Sequence, residues 1–130
     1  MRSNCPISYA LDFFGDKWSL LIIRDIALEQ KRFYKDFQNS KEGIATNILS
    51  DRLKKLENNG IIRSAVYEKK KTQKEYFLTQ KGKDLIPILL EMIVWSYKYD
   101  KELNITEEFV EKIKTNRSDV IDYFLALLED

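Results

Sequence analysis

"IATNILSDRLKKLENNGIIRSAVYEKKKTQKEYFL", residues 44–78, is the stretch on which the fold turns. Ile44, Ile48, Leu49, Leu53 and Leu56 fall on one stripe at helical spacing, which predicts an amphipathic helix. At about 100° per residue the opposite face carries Asn47, Ser50, Asp51, Lys54 and Asn58. Asn59-Gly60 ends that helix, with Gly60 suited to a left-handed cap. Beyond it, "IIRSAVY" is rich in β-formers and "KEYFL" alternates, on either side of the polar "EKKKTQ". Two short strands about a charged loop predict a β-hairpin.

Working outward, Pro6 to about Phe14 reads as a short helix with Tyr9, Leu11, Phe13 and Phe14 as its apolar bulk and Gly15 as its stop. A second helix runs from about Lys17 to Leu28, with Trp18, Leu21, Ile22 and Ile26 at helical spacing. Phe33 and Phe37 form an i, i+4 pair on a short third helix, and "SKEG" turns the chain into the stripe described above. After the hairpin, Thr79 caps a long helix through "QKGKDLIPILLEMIVWSYKYD", in which Pro87 either makes a kink or lies near the start. Between Leu85 and Trp95 that helix is apolar nearly all round, so more than one surface must cover it. Thr106 and Ser118 read as N-caps of two further helices, over 107–114 and 119–128. The fold class is therefore mainly α with a small β-hairpin: a winged helix-turn-helix with flanking dimerisation helices. Residues 1–101 form the DNA-binding domain with its dimerisation helices, and 102–130 an acidic helical extension.

Composition narrows the functions. Histidine is absent, which removes Ser-His and Cys-His catalysis and the commonest metal ligand. With no glycine-rich phosphate loop and no recognisable carboxylate pair, neither an enzyme nor a bound cofactor or metal is expected. A single cysteine cannot close an internal disulfide, which suits a cytoplasmic chain. The apolar runs "LLII" and "LIPILL" fall far short of the ~20 residues of a membrane span. The net charge of +1 hides an asymmetry. Residues 66–83 carry six lysines against two glutamates, while 101–130 carry four basic and eight acidic residues. A basic patch offset by an acidic tail fits a DNA-binding face. A helix with a small, polar, hydrogen-bonding face fits the major groove, and the lysine-rich hairpin tip reaches flanking phosphates.

Four segments in order, "NCPISYALDFFGDKWSLLIIRDI", "KRFYKDF", "GIATNILSDRLKKLENNGII" and "EYFLTQKGKDLIPIL", together resemble the HxlR family of bacterial winged-helix transcription regulators, over roughly residues 4–100. The resemblance implies a homodimer on a two-fold-related double-stranded DNA operator, in a family holding both repressors and activators. It maps Thr46–Lys55 onto the recognition helix, with Thr46, Asn47 and Ser50 nearest the base edges and Lys54 on phosphate. Asp51 repels phosphate, and either accepts from a cytosine amino group or excludes wrong registers. Arg52 falls on the Ile48–Leu56 side and is expected to pair inside the domain. The wing offers Lys69, Lys70, Lys71, Gln73 and Lys74. Unlike many family members it has no proline, which predicts a more mobile loop, and Gln73 stands near the usual basic position. Ala45 stands where the family often has serine, so a cap comes from Thr46 or is missing.

Dimerisation is expected through Leu11, Phe14, Leu85, Leu89, Met92, Ile93 and Trp95. Cys5 precedes Pro6 at the cap of the first helix, where unpaired N–H groups favour a thiolate, aided by Arg2 if the tail folds back. "CP" recurs here in the family, and several members use it to sense electrophiles or oxidants. A small-molecule or oxidant effector is thus one reading of Cys5, and a quiet hydrophobe at a subunit contact is the other. A winged-helix module that binds protein rather than DNA is the alternative function.

Overall fold

The computed structural model describes residues 3–129, with elements in the order α1 (Pro6–Phe14), α2 (Lys17–Glu29), α3 (Tyr34–Gln38), α4 (Thr46–Asn58), β1 (Ile62–Val66), β2 (Lys74–Leu78), α5 (Gln80–Lys83), α6 (Ile86–Tyr99), α7 (Glu107–Thr115) and α8 (Arg117–Leu127). Two units divide the chain after Gly82. The first is a winged helix-turn-helix. Its core is built from Ile22, Ile23, Ile26 and Ala27 of α2, Phe37 of α3, and Leu49, Leu53 and Leu56 of α4. Ile44 is buried just before α4, and Ile48 only half so. The predicted stripe is thus the inner face of α4.

α4 ends as its sequence dictates. Gly60 has φ +73°, the Ile61 N–H donates to the Leu56 carbonyl at 2.9 Å, and the Gly60 N–H donates to the Glu57 carbonyl at 3.0 Å. This left-handed termination satisfies carbonyls that a helix end otherwise leaves open. β1 and β2 pair antiparallel from Ile62↔Leu78 to Val66↔Lys74. A third segment joins them: Phe33 bridges Glu75, and the Tyr76 N–H donates to the Arg32 carbonyl at 2.8 Å. The residues before α3 therefore tie the helix-turn-helix to its wing.

The helix predicted as continuous after Thr79 is broken. Thr79 does cap α5, accepting from the Gly82 N–H at 3.1 Å, but α5 ends at Lys83 and α6 starts afresh at Ile86. Pro87 sits in the first turn of α6, where its missing N–H costs nothing and its ring bars continuation from the preceding turn. Ser118 is not the cap of α8. Asn116 ends α7 and also starts α8, its carbonyl accepting from the Val120 N–H at 3.2 Å, so Ser118 lies inside the first turn. Thr106 caps α7 as expected, accepting from the Phe109 N–H at 3.1 Å.

In the second unit, α7 buries Val110 and Ile113, and α8 buries Val120 and Phe124. Phe109 meets Phe124 edge-on with centroids 6.4 Å apart, and Arg117 of α8 pairs with Glu91 of α6. α6 buries Ile86, Leu89 and Leu90, so Leu89 is a core residue rather than the surface contact expected of it. Its exposed large side chains are Ile88, Met92, Trp95 and Tyr99. Their 4-3-4 spacing forms one seam along the helix.

Gly82, in α5 just beyond the wing, is the glycine at which an added Cβ would come nearest another atom. A Cβ there would overlap the Ile61 carbonyl oxygen and press on Leu78 at 2.8 Å. Gly60→Ala has open space around it and meets only the left-handed backbone, at about 1–2 kcal/mol. Gly82→Ala is expected to cost on the order of 3 kcal/mol, the upper range for overpacking. Urea unfolding of both variants should show the larger loss at Gly82.

Candidate nucleic-acid interface

α4 is positioned by two arginines. At its N-terminal side, Arg24 of α2 donates to both oxygens of Glu42, at 2.8 and 3.0 Å, and the Ser40 hydroxyl donates to Glu42 at 2.6 Å. This fork fixes the turn, where the Gly43 N–H donates to the Ser40 carbonyl at 3.0 Å and Gly43 takes φ +71°. The hydrogen bond from Arg24, then that from Ser40, hold the Glu42 carboxyl down to about 2. Arg24 also donates to Asp25, which is buried and whose carboxyl is pushed up by desolvation against the pull of Arg24 and Lys31.

In mid-helix, Arg52 Nε donates to Asp16 at 3.0 Å and Nη1 donates to Asp51 at 2.6 Å. Asp16 caps α2, accepting from the Ser19 N–H at 2.9 Å. Burial would raise the Asp16 carboxyl, but hydrogen bonds from Ser19 and Arg52 outweigh it and hold it below its ordinary value. Arg52 therefore packs inward as a structural residue, in line with the sequence. Asp51 is explained by the same contact, because its charge is already matched by a guanidinium next door.

With the inner face so engaged, Thr46, Asn47, Ser50, Asp51 and Lys54 all lie exposed along the outer face of α4. The wing tip presents Lys69, Lys70, Lys71 and Lys74 to solvent, with Gln73 half-buried. No proline stiffens it, but its backbone closes on itself. The Tyr67 N–H donates to the Gln73 carbonyl at 2.9 Å, the Lys70 N–H to Tyr67 at 3.2 Å, and the Gln73 N–H to Lys70 at 2.9 Å. Tyr67 also meets Phe33 edge-on at 4.8 Å. Ala45 supplies no side-chain cap to α4, and Thr46 lies one residue inside the helix, so the side-chain cap is absent.

One residue of this surface has no signature in the sequence. Tyr34, half-buried at the start of α3, carries its hydroxyl 3.2 Å from the Thr46 carbonyl and 3.1 Å from Ser50 Oγ. It thus touches the outer face of α4 at its first turn. Nothing in a lone tyrosine 16 residues upstream signals that proximity.

Cys5 is the N-cap residue of α1, as predicted, but its side chain makes no capping bond; it is exposed, and its N–H donates to Ser3 Oγ at 3.0 Å. Arg2, invoked as its electrostatic helper, lies outside the described residues. None of the nine residues of α1 is buried. Leu11 is 54% exposed, Phe14 is half-buried, and Lys81 stacks over Phe13 at 4.1 Å. Of the other residues expected at a partner surface, Met92 and Trp95 are exposed and Leu85 and Ile93 half-buried.

The family model described as HxlR-like helix-turn-helix matches residues 13–104, which leaves α7 and α8 outside the match. The HTH-type transcriptional regulator YdeP of Bacillus subtilis, itself uncharacterised, is 32% identical over 101 residues, covering 78% of each chain. The redox regulator HypR in its oxidised form has a similar structure, with a TM-score of 0.64 at 30% identity, covering 72% of this chain and 96% of HypR. The reduced form of the transcriptional regulator YodB from B. subtilis gives a TM-score of 0.59 at 29% identity, covering 75% of this chain and 96% of YodB.

The Arg24–Glu42 fork has a pH signature. Because the folded Glu42 carboxyl is held at about 2 against an ordinary 4.5, its contribution is fully present above about pH 5 and is lost as pH falls through that window toward 2. Glu42→Gln should therefore be less stable than wild type at neutral pH. The gap in melting temperature should close steadily between pH 5 and pH 2. A gap that stays constant over that range would place the stabilisation elsewhere.

Proposed function

The chain belongs to the HxlR-like helix-turn-helix family of transcription regulators, and we propose that it acts as a homodimer reading a two-fold-related double-stranded DNA operator. One observation carries this reading. The outer face of α4 is lined by small hydrogen-bonding side chains, Thr46, Asn47 and Ser50, on the same unit as a wing whose tip holds exposed lysines. Amides and hydroxyls at that spacing suit base edges, and Lys54 with Lys69, Lys70, Lys71 and Lys74 suits phosphates. Gln73 can add a neutral hydrogen bond to the backbone. Asp51, matched by Arg52, disfavours phosphate at the centre of the face and so helps set register.

Two apolar surfaces support the homodimer. α1 has no fully buried residue, and α6 leaves the seam of Ile88, Met92, Trp95 and Tyr99 open. A second copy covering each of them would match protein symmetry to operator symmetry. In this reading residues 1–101 carry DNA binding and dimerisation and 102–130 form an acidic extension, a functional division distinct from the packing division after Gly82. No helix among the described residues is long and apolar enough to cross a membrane. A DNA operator would place the proposed activity in the cytoplasm.

Gel-shift titration on the DNA flanking its own gene tests the reading. A specific complex should form. Changing Lys69, Lys70 and Lys71 to Gln should weaken binding and flatten the slope of log K against log salt by about 0.9 for each phosphate left without a lysine. Met92→Glu with Trp95→Glu should sediment as a monomer and fail to form the complex. A soluble dimer without salt-sensitive DNA affinity would favour the protein-binding module instead.

HypR is a redox regulator, and Cys5 is exposed on a helix proposed to lie at the dimer surface. We therefore assign Cys5 as the site at which an oxidant or electrophilic small molecule acts. Diamide should change operator affinity in wild type and leave Cys5→Ser unchanged. Equal affinity before and after treatment in wild type would make the thiol a quiet cap residue.

A further inference from the structure

Resting on the DNA-reading role above, we infer that Tyr34 sets the base preference of the recognition helix by fixing Ser50 as a hydrogen-bond acceptor. The reason is a proton count. The Tyr34 oxygen lies 3.2 Å from the Thr46 carbonyl oxygen and 3.1 Å from Ser50 Oγ. A carbonyl can only accept, so the first bond requires the Tyr34 O–H to point at Thr46. A phenol has one proton. The second bond then requires the Ser50 O–H to donate to the Tyr34 oxygen. The reverse assignment would set the lone pairs of Tyr34 and Thr46 against each other at 3.2 Å.

The consequence falls on the outer face of α4. A serine hydroxyl ordinarily both donates and accepts, so it tolerates any base edge. Here its single proton is committed to Tyr34, and Ser50, which is exposed, shows DNA only lone pairs. It can accept from the N6 amino group of adenine or the N4 amino group of cytosine. It cannot donate to O6 or N7 of guanine or to O4 of thymine. Tyr34 is thus a positioning residue, acting by choosing which half of the Ser50 hydroxyl the groove meets. The same bond anchors α3 to the first turn of α4, at the helix end that has no side-chain cap.

Selection from a randomised DNA library with wild type, Tyr34→Phe and Ser50→Ala tests this. Wild type should show one position, absent in Ser50→Ala, at which A or C outweighs G or T by roughly fivefold, the scale of one neutral hydrogen bond. In Tyr34→Phe the same position should flatten to under about twofold, while the slope of affinity against salt is unchanged. A structural role alone would weaken all positions together. Preference for G or T at the Ser50 position, or an A/C preference that survives Tyr34→Phe, overturns the inference and leaves the DNA-reading role intact. Enrichment of no sequence by wild type overturns that role itself. If Tyr34→Phe does not fold, the wild-type position compared with Ser50→Ala still bears on the inference: G or T there overturns it, because neither suits an acceptor, and A or C there supports it.

Discussion

Asp16 serves two helices with one oxygen. Its Oδ1 accepts from the Ser19 N–H, which starts α2, and from Arg52 Nε, which reaches across from α4. Arg52 in turn engages Asp51, so the chain carboxylate–guanidinium–carboxylate runs from the start of the scaffold helix to the exposed face of the recognition helix. The side chain of Asp16 is 38% exposed, so the pair is worth little as an isolated ion pair. Its value is geometric. Leu49, Leu53 and Leu56 bury the inner stripe of α4, but apolar packing alone allows a helix to slide and rotate by small amounts. Directional bonds at Arg52 and at the Arg24–Glu42 fork remove that freedom, and the proposed reading of bases by this face would tolerate little of it.

The same matching of charge separates scaffold from surface. In the first unit, Arg24, Lys31, Arg32 and Arg52 are held by carboxylates, and Glu75 is taken up by Arg32 at 3.1 Å. None of these ion pairs includes Lys54 or the lysines of the wing tip. Cations that a fold needs for itself are matched internally; cations left facing water keep their hydration until an external anion replaces it. That distinction also explains why a net charge of +1 misleads, since it averages matched and unmatched groups over the whole chain.

What the sequence made legible was whatever depends on near neighbours. The 3.6-residue stripe over Ile44–Leu56, the left-handed Gly60, the hairpin about "EKKKTQ" and the Thr106 cap all rest on interactions within one turn or one hairpin, and each is present. The inward Arg52 was legible too, because a helical wheel already separates its side from that of Asn47. The fork from Arg24 to Glu42 spans 18 residues and the Tyr34–Ser50 bond 16, and no local pattern marks either. Leu89 failed for a related reason. On a helix apolar nearly all round, periodicity cannot say which face meets its own chain, and only the packed structure assigns Leu89 inward and Ile88, Met92, Trp95 and Tyr99 outward. Pro87 and Ser118 show the limits at element ends, where two plausible starts compete and a shared cap such as Asn116 settles the matter.

That outward seam gives the apolar breadth of α6 a physical meaning. Four large side chains at 4-3-4 spacing would each be withdrawn from water if another helix lay along them, and a tryptophan at 65% exposure is far outside the habit of a solvated surface. α1 adds to this demand, since none of its nine residues is buried and Phe13 and Phe14 are only half-covered, while a helix this short draws most of its stability from packing. Lys81 stacks over Phe13 of α1, and an exposed cation–π pair contributes only about 0.5–1 kcal/mol. A helix with no buried residue is sensitive in its position to whatever covers its exposed face. On the proposed reading, a thiol at its cap sits at the end of a helix with no buried residue, whereas the α2–α4 core offers no position whose change would leave buried packing untouched.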